Sequence, residues 1–496
     1  MHSLLVLTVI VLYFLIVFAV SWWTTRRRDR DTETFYRGDR RSPWWVVAIA
    51  MIGTSISGVT YVSVPGMVEA KQMSYMQMVL GFVAGYFAVA YILLPLYYRL
   101  GLSSIYVYLE QRYGRMAHRT GAAFFLLSKY LGCAVRMYLT AVVLQLVLFD
   151  ALGVPFALSV ATIMLIVWLY SFRGGVKTLV WTDLLQTLCL LAAMVGFVIC
   201  ISSAMGLTAS GLWTTLREST MSRVWFFDDA NDTRYFWKQF LGGMFTTIAM
   251  TGLDQDMMQK NLSCRSLREA QKNMVTYGFG FLPVNLVFLS LGILLYMYAH
   301  EVGVTQSGDS LFPYLATGIN PATGQPFLPL IVSILFVLGL VAAAFSSAGS
   351  AVTALTPAIM VDFLKPSQPH DLTATRFRVH LINSILMGFM IYAFHLLSSG
   401  SVINAVYVVA SYTYGPLLGL FFFGMFTRRR VNDGWWIPAI CIASPLLCWV
   451  LDQHSESWFG GYHIGYEMLL INGGITALGL FLASLLHRRD VQRNAD

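Results

Sequence analysis

The chain has 496 residues, of which 57% are hydrophobic and only 12% charged, with a mean hydropathy of +0.64; soluble domains average about 25% charged. This excludes an ordinary water-soluble globular protein and points to an all-α polytopic membrane protein. The net charge of +8 collects in short basic segments between apolar runs, as expected of loops facing anionic lipid rather than of a nucleic-acid surface.

Apolar runs of about 20 residues cross a bilayer as helices, and about thirteen follow in order. The first, near 3–23, has no basic residue before it, but Arg26, Arg27, Arg28, Arg30, Arg37, Arg40 and Arg41 follow it. A secretory signal has the opposite arrangement, so a retained helix (residues 1–24) with its N-terminus outside is expected. The second run, 44–67, contains Gly53-Thr54-Ser55-Ile56-Ser57-Gly58-Val59-Thr60 in its middle. Helix propensity is poor there, and unwinding would free carbonyls at membrane depth, tolerable only where they line a cavity. The runs near 75–98, 120–148, 156–172 and 178–203 come next. Arg136 lies close to the middle of 120–148 with Lys129 on the same face, and Asp183 follows Trp181 and Thr182. Charges inside a membrane are costly and usually functional. Arg136 needs an internal partner, such as Asp254 or Asp256, or an anionic ligand; Lys129 can snorkel to the interface.

Beyond the loop at 204–235, the run 236–253 carries Gly242, Gly243, Thr246, Thr247 and Gly252, and ends at Asp254-Gln255-Asp256. Two glycine-interrupted helices at corresponding positions of two halves point to an inverted-repeat transporter with a midplane site. The halves expected are 44–203 and 236–426, five helices each, with 435–486 adding two more. After a run near 274–300, the segment 328–361 contains Val-Ala-Ala-Ala-Phe-Ser-Ser-Ala-Gly-Ser over 341–350. Its small face suits close helix packing, and its hydroxyls equally suit a monovalent cation. The last runs lie near 377–398, 403–426, 435–451 and 464–486.

Counting Lys260, Arg265, Arg268 and Lys272 with Arg112, Arg115, Arg119, Arg428–Arg430 and Arg488–Arg489 as cytoplasmic satisfies the positive-inside rule with the C-terminus inside. The short loops suggest a bacterial inner membrane. The six cysteines fall in spans or on the cytoplasmic side, so no disulfide is expected. No nucleophile elbow, Walker loop or dinucleotide fingerprint appears. The expected protein is no enzyme, and its energy input is a gradient.

Several stretches together resemble the sodium:solute symporter family, whose members take up sugars, proline or sialic acid with the LeuT fold. They are Phe35-Tyr36-Arg37-Gly38; the Gly53–Ser57 break; Tyr108 to Gly114; Gly174-Gly175 into Trp181-Thr182-Asp183 and Gln186; Asp254-Gln255 through Gln259-Lys260; and Ser346-Ser347 followed by Asp362. The resemblance implies Na⁺ as the coupling ion, held by main-chain oxygens of Gly53, Ile56 and Ala343 and the hydroxyls of Ser346 and Ser347. It implies a possible second sodium at Asp183, Ser55 and Ser350, although Gly349 stands where members with that site have serine. Ser57 and Thr60 look like the sialic-acid branch, with Arg136, Asp254 and Gln255 as further substrate contacts. Val79 and Phe82 replace polar groups that hold sugar hydroxyls in other members. An organic anion is expected, sialic acid ahead of monocarboxylates and neutral sugars. A sensor would continue into a soluble kinase, whereas this chain ends about ten residues past its last run; a channel would need a continuous polar pore.

Overall fold

The computed structural model describes residues 2–25, 42–101, 104–172, 175–321, 323–364, 369–397 and 402–493. The arginines between 26 and 41, the Phe35–Gly38 stretch and Gly174 lie outside the described residues. Among the described residues regular structure is helical, apart from two isolated bridges, Ser42 with Cys264 and Ile319 with Pro326.

Helix α1 spans His2–Thr25; Leu12, Leu15 and Ile16 face outward while Tyr13, Phe14 and Val17 pack inward. The second apolar run is two helices, α2 (Trp44–Ser55) and α3 (Gly58–Gly66). They meet at 62°. The expected weak point is where the chain breaks, because glycine and hydroxyl side chains favour non-helical backbone. Then come α4 (Tyr75–Leu100), α5 (Arg115–Leu144), α6 (Phe156–Ser171) and α7 (Gly175–Ala204).

The second weak point also breaks. Helix α8 (Phe236–Thr247) widens into a π-turn over Ile248–Gly252, and α9 (Gln255–Leu262) restarts after an extended Asp254. Beyond it lie α10 (Leu267–Glu301), α11 (Leu330–Ala358), α12 (Pro369–Leu397), α13 (Val402–Phe426), α14 (Trp436–Trp458) and α15 (Met468–Arg493).

Among the described residues ten helices are long and apolar enough to cross a bilayer, and the bent α2–α3 pair makes up to eleven. About thirteen spans were expected from the apolar runs; α6, with 16 residues, and the 236–252 segment are helical but shorter. At the centre, α7 packs against α11 and α2, α5 against α13 and α11, and α4 against α8 and α10. Both broken segments are wrapped by these helices. Asp183, Lys129, Asp254, Asp256 and Lys260 are all buried there.

Candidate functional site

The site begins at the α2–α3 break. The ladder of α2 ends with the Ile56 amide donating to Ile52, and that of α3 begins with Tyr61 donating to Ser57. Ile56 and Ser57 between them are extended, so the carbonyls of Gly53 to Ile56 belong to neither ladder. Gly53 has a reason to lack a side chain: a Cβ there would sit 1.9 Å from the Thr187 hydroxyl of α7. Facing the break, α11 presents buried Ala343, Ser346 and Ser347, and it packs against both α2 and α3. The Ser346 hydroxyl donates to Asp183 Oδ1 at 2.9 Å, which leaves its oxygen lone pairs for a cation. Neutral carbonyl and hydroxyl oxygens beside an unwound helix are a donor set suited to reversible Na⁺ binding.

One shell away, Asp183 is fully engaged. Its Oδ2 accepts from Ser350 Oγ at 2.9 Å, Thr54 Oγ1 at 3.1 Å and Lys260 Nζ at 2.7 Å. Lys260 also donates to Ser350 Oγ at 2.8 Å and to Thr54 Oγ1. Its residue is 1% exposed, so the placing of Lys260 in a cytoplasmic loop is corrected: the carboxylate of α7 draws the side chain inward. Ser55 is corrected too. Its hydroxyl bonds the Tyr277 hydroxyl of α10 and lines a cavity instead of joining Asp183.

That cavity, of about 100 Å³, lies beside the break between α3, α4, α5, α8, α10 and α13. Ser57, Thr60 and Arg136 line it, with Phe82, Tyr86, Thr246, Thr247, Thr251, Tyr277 and Tyr407. Val79 is buried, but Phe82 places an aromatic ring in the wall. Among the described residues Arg136 makes one hydrogen bond, Nε to the Gly132 carbonyl at 2.9 Å, and no ion pair. Its planar fork is thus left for an occupant of the cavity.

Asp254 and Gln255, expected to touch substrate, are not among the residues lining that cavity. Asp254 caps α9, accepting from the amides of Asp256 and Met257. It also accepts from Tyr414 of α13 at 2.7 Å and from Lys129 of α5 at 3.1 Å. Lys129 reaches Asp256 as well, at 2.8 Å. So Lys129, not Arg136, is the partner of the two aspartates; it reaches inward to them rather than to the interface. Gln255 accepts from the Ile105 amide at 2.9 Å. A helix cap is the physical reason for Asp254: the first amides of α9 have no other acceptor.

On the opposite side, the Tyr75 and Tyr407 hydroxyls meet at 2.9 Å. Both residues line the cavity and also a wider vestibule of about 260 Å³ that holds Lys71, Asp452 and Tyr466. The tyrosine pair therefore lies between the two. At the vestibule mouth Lys71 donates to Thr233 at 2.6 Å, and burial pulls its ammonium below the usual lysine range. Nothing in the composition marked Tyr75 and Tyr407. Lys260 and Lys129 were visible only as basic residues whose partners lay far along the chain.

The family model for sodium:solute symporters matches residues 35–440. The human sodium-coupled monocarboxylate transporter 2 is 27% identical over 413 residues, 80% of this chain and 64% of that one. The sodium/sialic acid symporter NanT of Aliivibrio fischeri is 24% identical over 470 residues, 91% of this chain and 88% of NanT. The chain spans 60 to 70% of the length of these animal relatives, which include a multivitamin and an iodide transporter. A solved Na⁺-coupled sialic acid symporter, substrate-bound and outward-open, superposes with a TM-score of 0.81 at 20% identity, over 98% of each chain. That likeness shows the fold.

Proposed function

Because this chain belongs to the sodium:solute symporter family, we propose that it couples sodium entry to uptake of a small organic anion, sialic acid foremost, by alternating access. The observation that carries this reading is Arg136, a guanidinium without an ion-pair partner among the described residues, facing the cavity beside Ser57 and Thr60. An arginine at membrane depth costs several kcal/mol unless something compensates it. A carboxylate held by two parallel hydrogen bonds would. Sodium sits at Gly53, Ile56, Ala343, Ser346 and Ser347 in this reading, supported by the donor geometry at the break. The halves 44–203 and 236–426 rock about the site. Tyr75–Tyr407 is the outer door, and the Lys129–Asp254–Asp256–Tyr414 network closes the inner side.

The loop arginines support a C-terminus in the cytoplasm, and the near-complete overlap with a bacterial relative supports a bacterial inner membrane. A small monocarboxylate is the second reading, favoured by the cavity volume of about 100 Å³ and its aromatic wall.

The test is thermal stabilisation of the purified protein by N-acetylneuraminate, lactate and galactose, in sodium or in choline, followed by uptake into proteoliposomes. Stabilisation and concentrative uptake of an acid, in sodium alone, is the expected result. Uptake of galactose but neither acid, or accumulation without a sodium gradient, would overturn it. Ser346→Ala and Ser347→Ala are each expected to raise the apparent sodium constant about tenfold, roughly 1.4 kcal/mol. Unchanged sodium dependence in both would remove the site from α11.

A further inference from the structure

We propose that Lys260 is a tethered cation that fills the position a second sodium would take, so that the protein moves one sodium per solute. This rests on the sodium-symport reading and adds its stoichiometry. The ammonium has three N–H donors, and three acceptors meet them: Asp183 Oδ2 at 2.7 Å, Ser350 Oγ at 2.8 Å and Thr54 Oγ1. These oxygens come from α7, α11 and α2, and two of them, Asp183 and Ser350, are ones a second sodium would need. With the charge of Asp183 matched and its oxygens engaged, a mobile cation arriving there would meet a positive charge in a dehydrated pocket.

A separate observation agrees. A side chain at 349 would be required to complete a hydroxyl cage around a cation. Gly349 cannot supply one, and the space is taken: a Cβ there would lie 2.0 Å from the Tyr170 hydroxyl, which itself donates to the Phe345 carbonyl. Ser55, the other candidate ligand, is turned to Tyr277. The second site lacks two ligands and holds the tethered Lys260 side chain instead. The shared site keeps its separate set of neutral oxygens, and Ser346 links the two by donating to Asp183 Oδ1.

The consequence is electrical. One sodium with a monoanionic solute carries no net charge, whereas two sodiums would carry one positive charge inward. Equilibrium binding of ²²Na⁺ to the purified protein, without solute, counts the sites directly. One sodium per wild-type chain is expected; two in Lys260→Ala, the second bound more weakly by the Asp183, Ser350 and Thr54 oxygens that had held the ammonium; and one in the charge-neutral pair Lys260→Met with Asp183→Asn. Two sodiums in the wild type, or one in a monodisperse Lys260→Ala, would overturn the proposal. Should Lys260→Ala fail to fold, Lys260→Ser, which removes the ammonium but leaves a hydroxyl on the side chain, takes its place: two sodiums are expected, and one would overturn the proposal. Zero in the wild type with one in Lys260→Ala would instead fault the shared sodium site and leave the role of Lys260 standing.

Discussion

Replacing Arg136 with lysine is expected to weaken binding of the anionic solute at least tenfold while sodium-induced stabilisation of the protein survives. Lysine keeps the charge but loses the planar fork, and a point charge cannot form two parallel hydrogen bonds to a carboxylate. Arg136→Met should do more. Removing one partner of a buried, hydrogen-bonded charge pair costs about 2–5 kcal/mol. The structure sharpens the test, because the aspartates that could have neutralised Arg136 internally are held by Lys129. Titration of solute against thermal shift, in sodium, separates the possibilities. A solute constant that barely moves in Arg136→Lys, with loss of folded protein, would show that the arginine serves the scaffold.

Lys129→Met should destabilise the protein by about 3–5 kcal/mol, the usual cost of breaking a buried ion pair from one side. Two carboxylates, Asp254 and Asp256, would remain beneath the cavity with side chains 3% and 4% exposed and their shared cation gone. The penalty comes from that uncompensated charge more than from the missing contact. Neutralising both acids as well, with Asp254→Asn and Asp256→Asn, is therefore expected to recover much of the loss. The single oxygen that Asp254→Asn retains can keep accepting from the α9 amides, as Oδ1 does, and the Tyr414 hydroxyl, which donates to Oδ2, can instead accept from the new amide NH2. Unfolding temperature in detergent is the readout. A Lys129→Met protein as stable as the wild type would mean that the network stores no such energy.

The sequence by itself determined the class, the places of the helices and both breaks. Runs of apolar residues report burial in lipid without any partner, and glycine with hydroxyls at 53–58 and 242–252 weakens a helix wherever it occurs. Those are local properties, and the helices bend or widen at those segments. The buried polar residues Ser346, Ser347 and Asp183 were also legible, since polar groups at membrane depth are costly and stand out. What the tertiary structure decided was who faces whom. Lys260 reads as a loop cation because a lysine just beyond a span looks the same whether it snorkels outward or folds in. Only the approach of α7, 77 residues away in sequence, brings Asp183 to it. Lys129 and Arg136 share a face of α5 with the same formal charge. Their roles diverge because Asp254 and Asp256, 125 and 127 residues on, reach Lys129 first. Charge pairing at such separations depends on packing geometry, which no periodicity along the chain encodes.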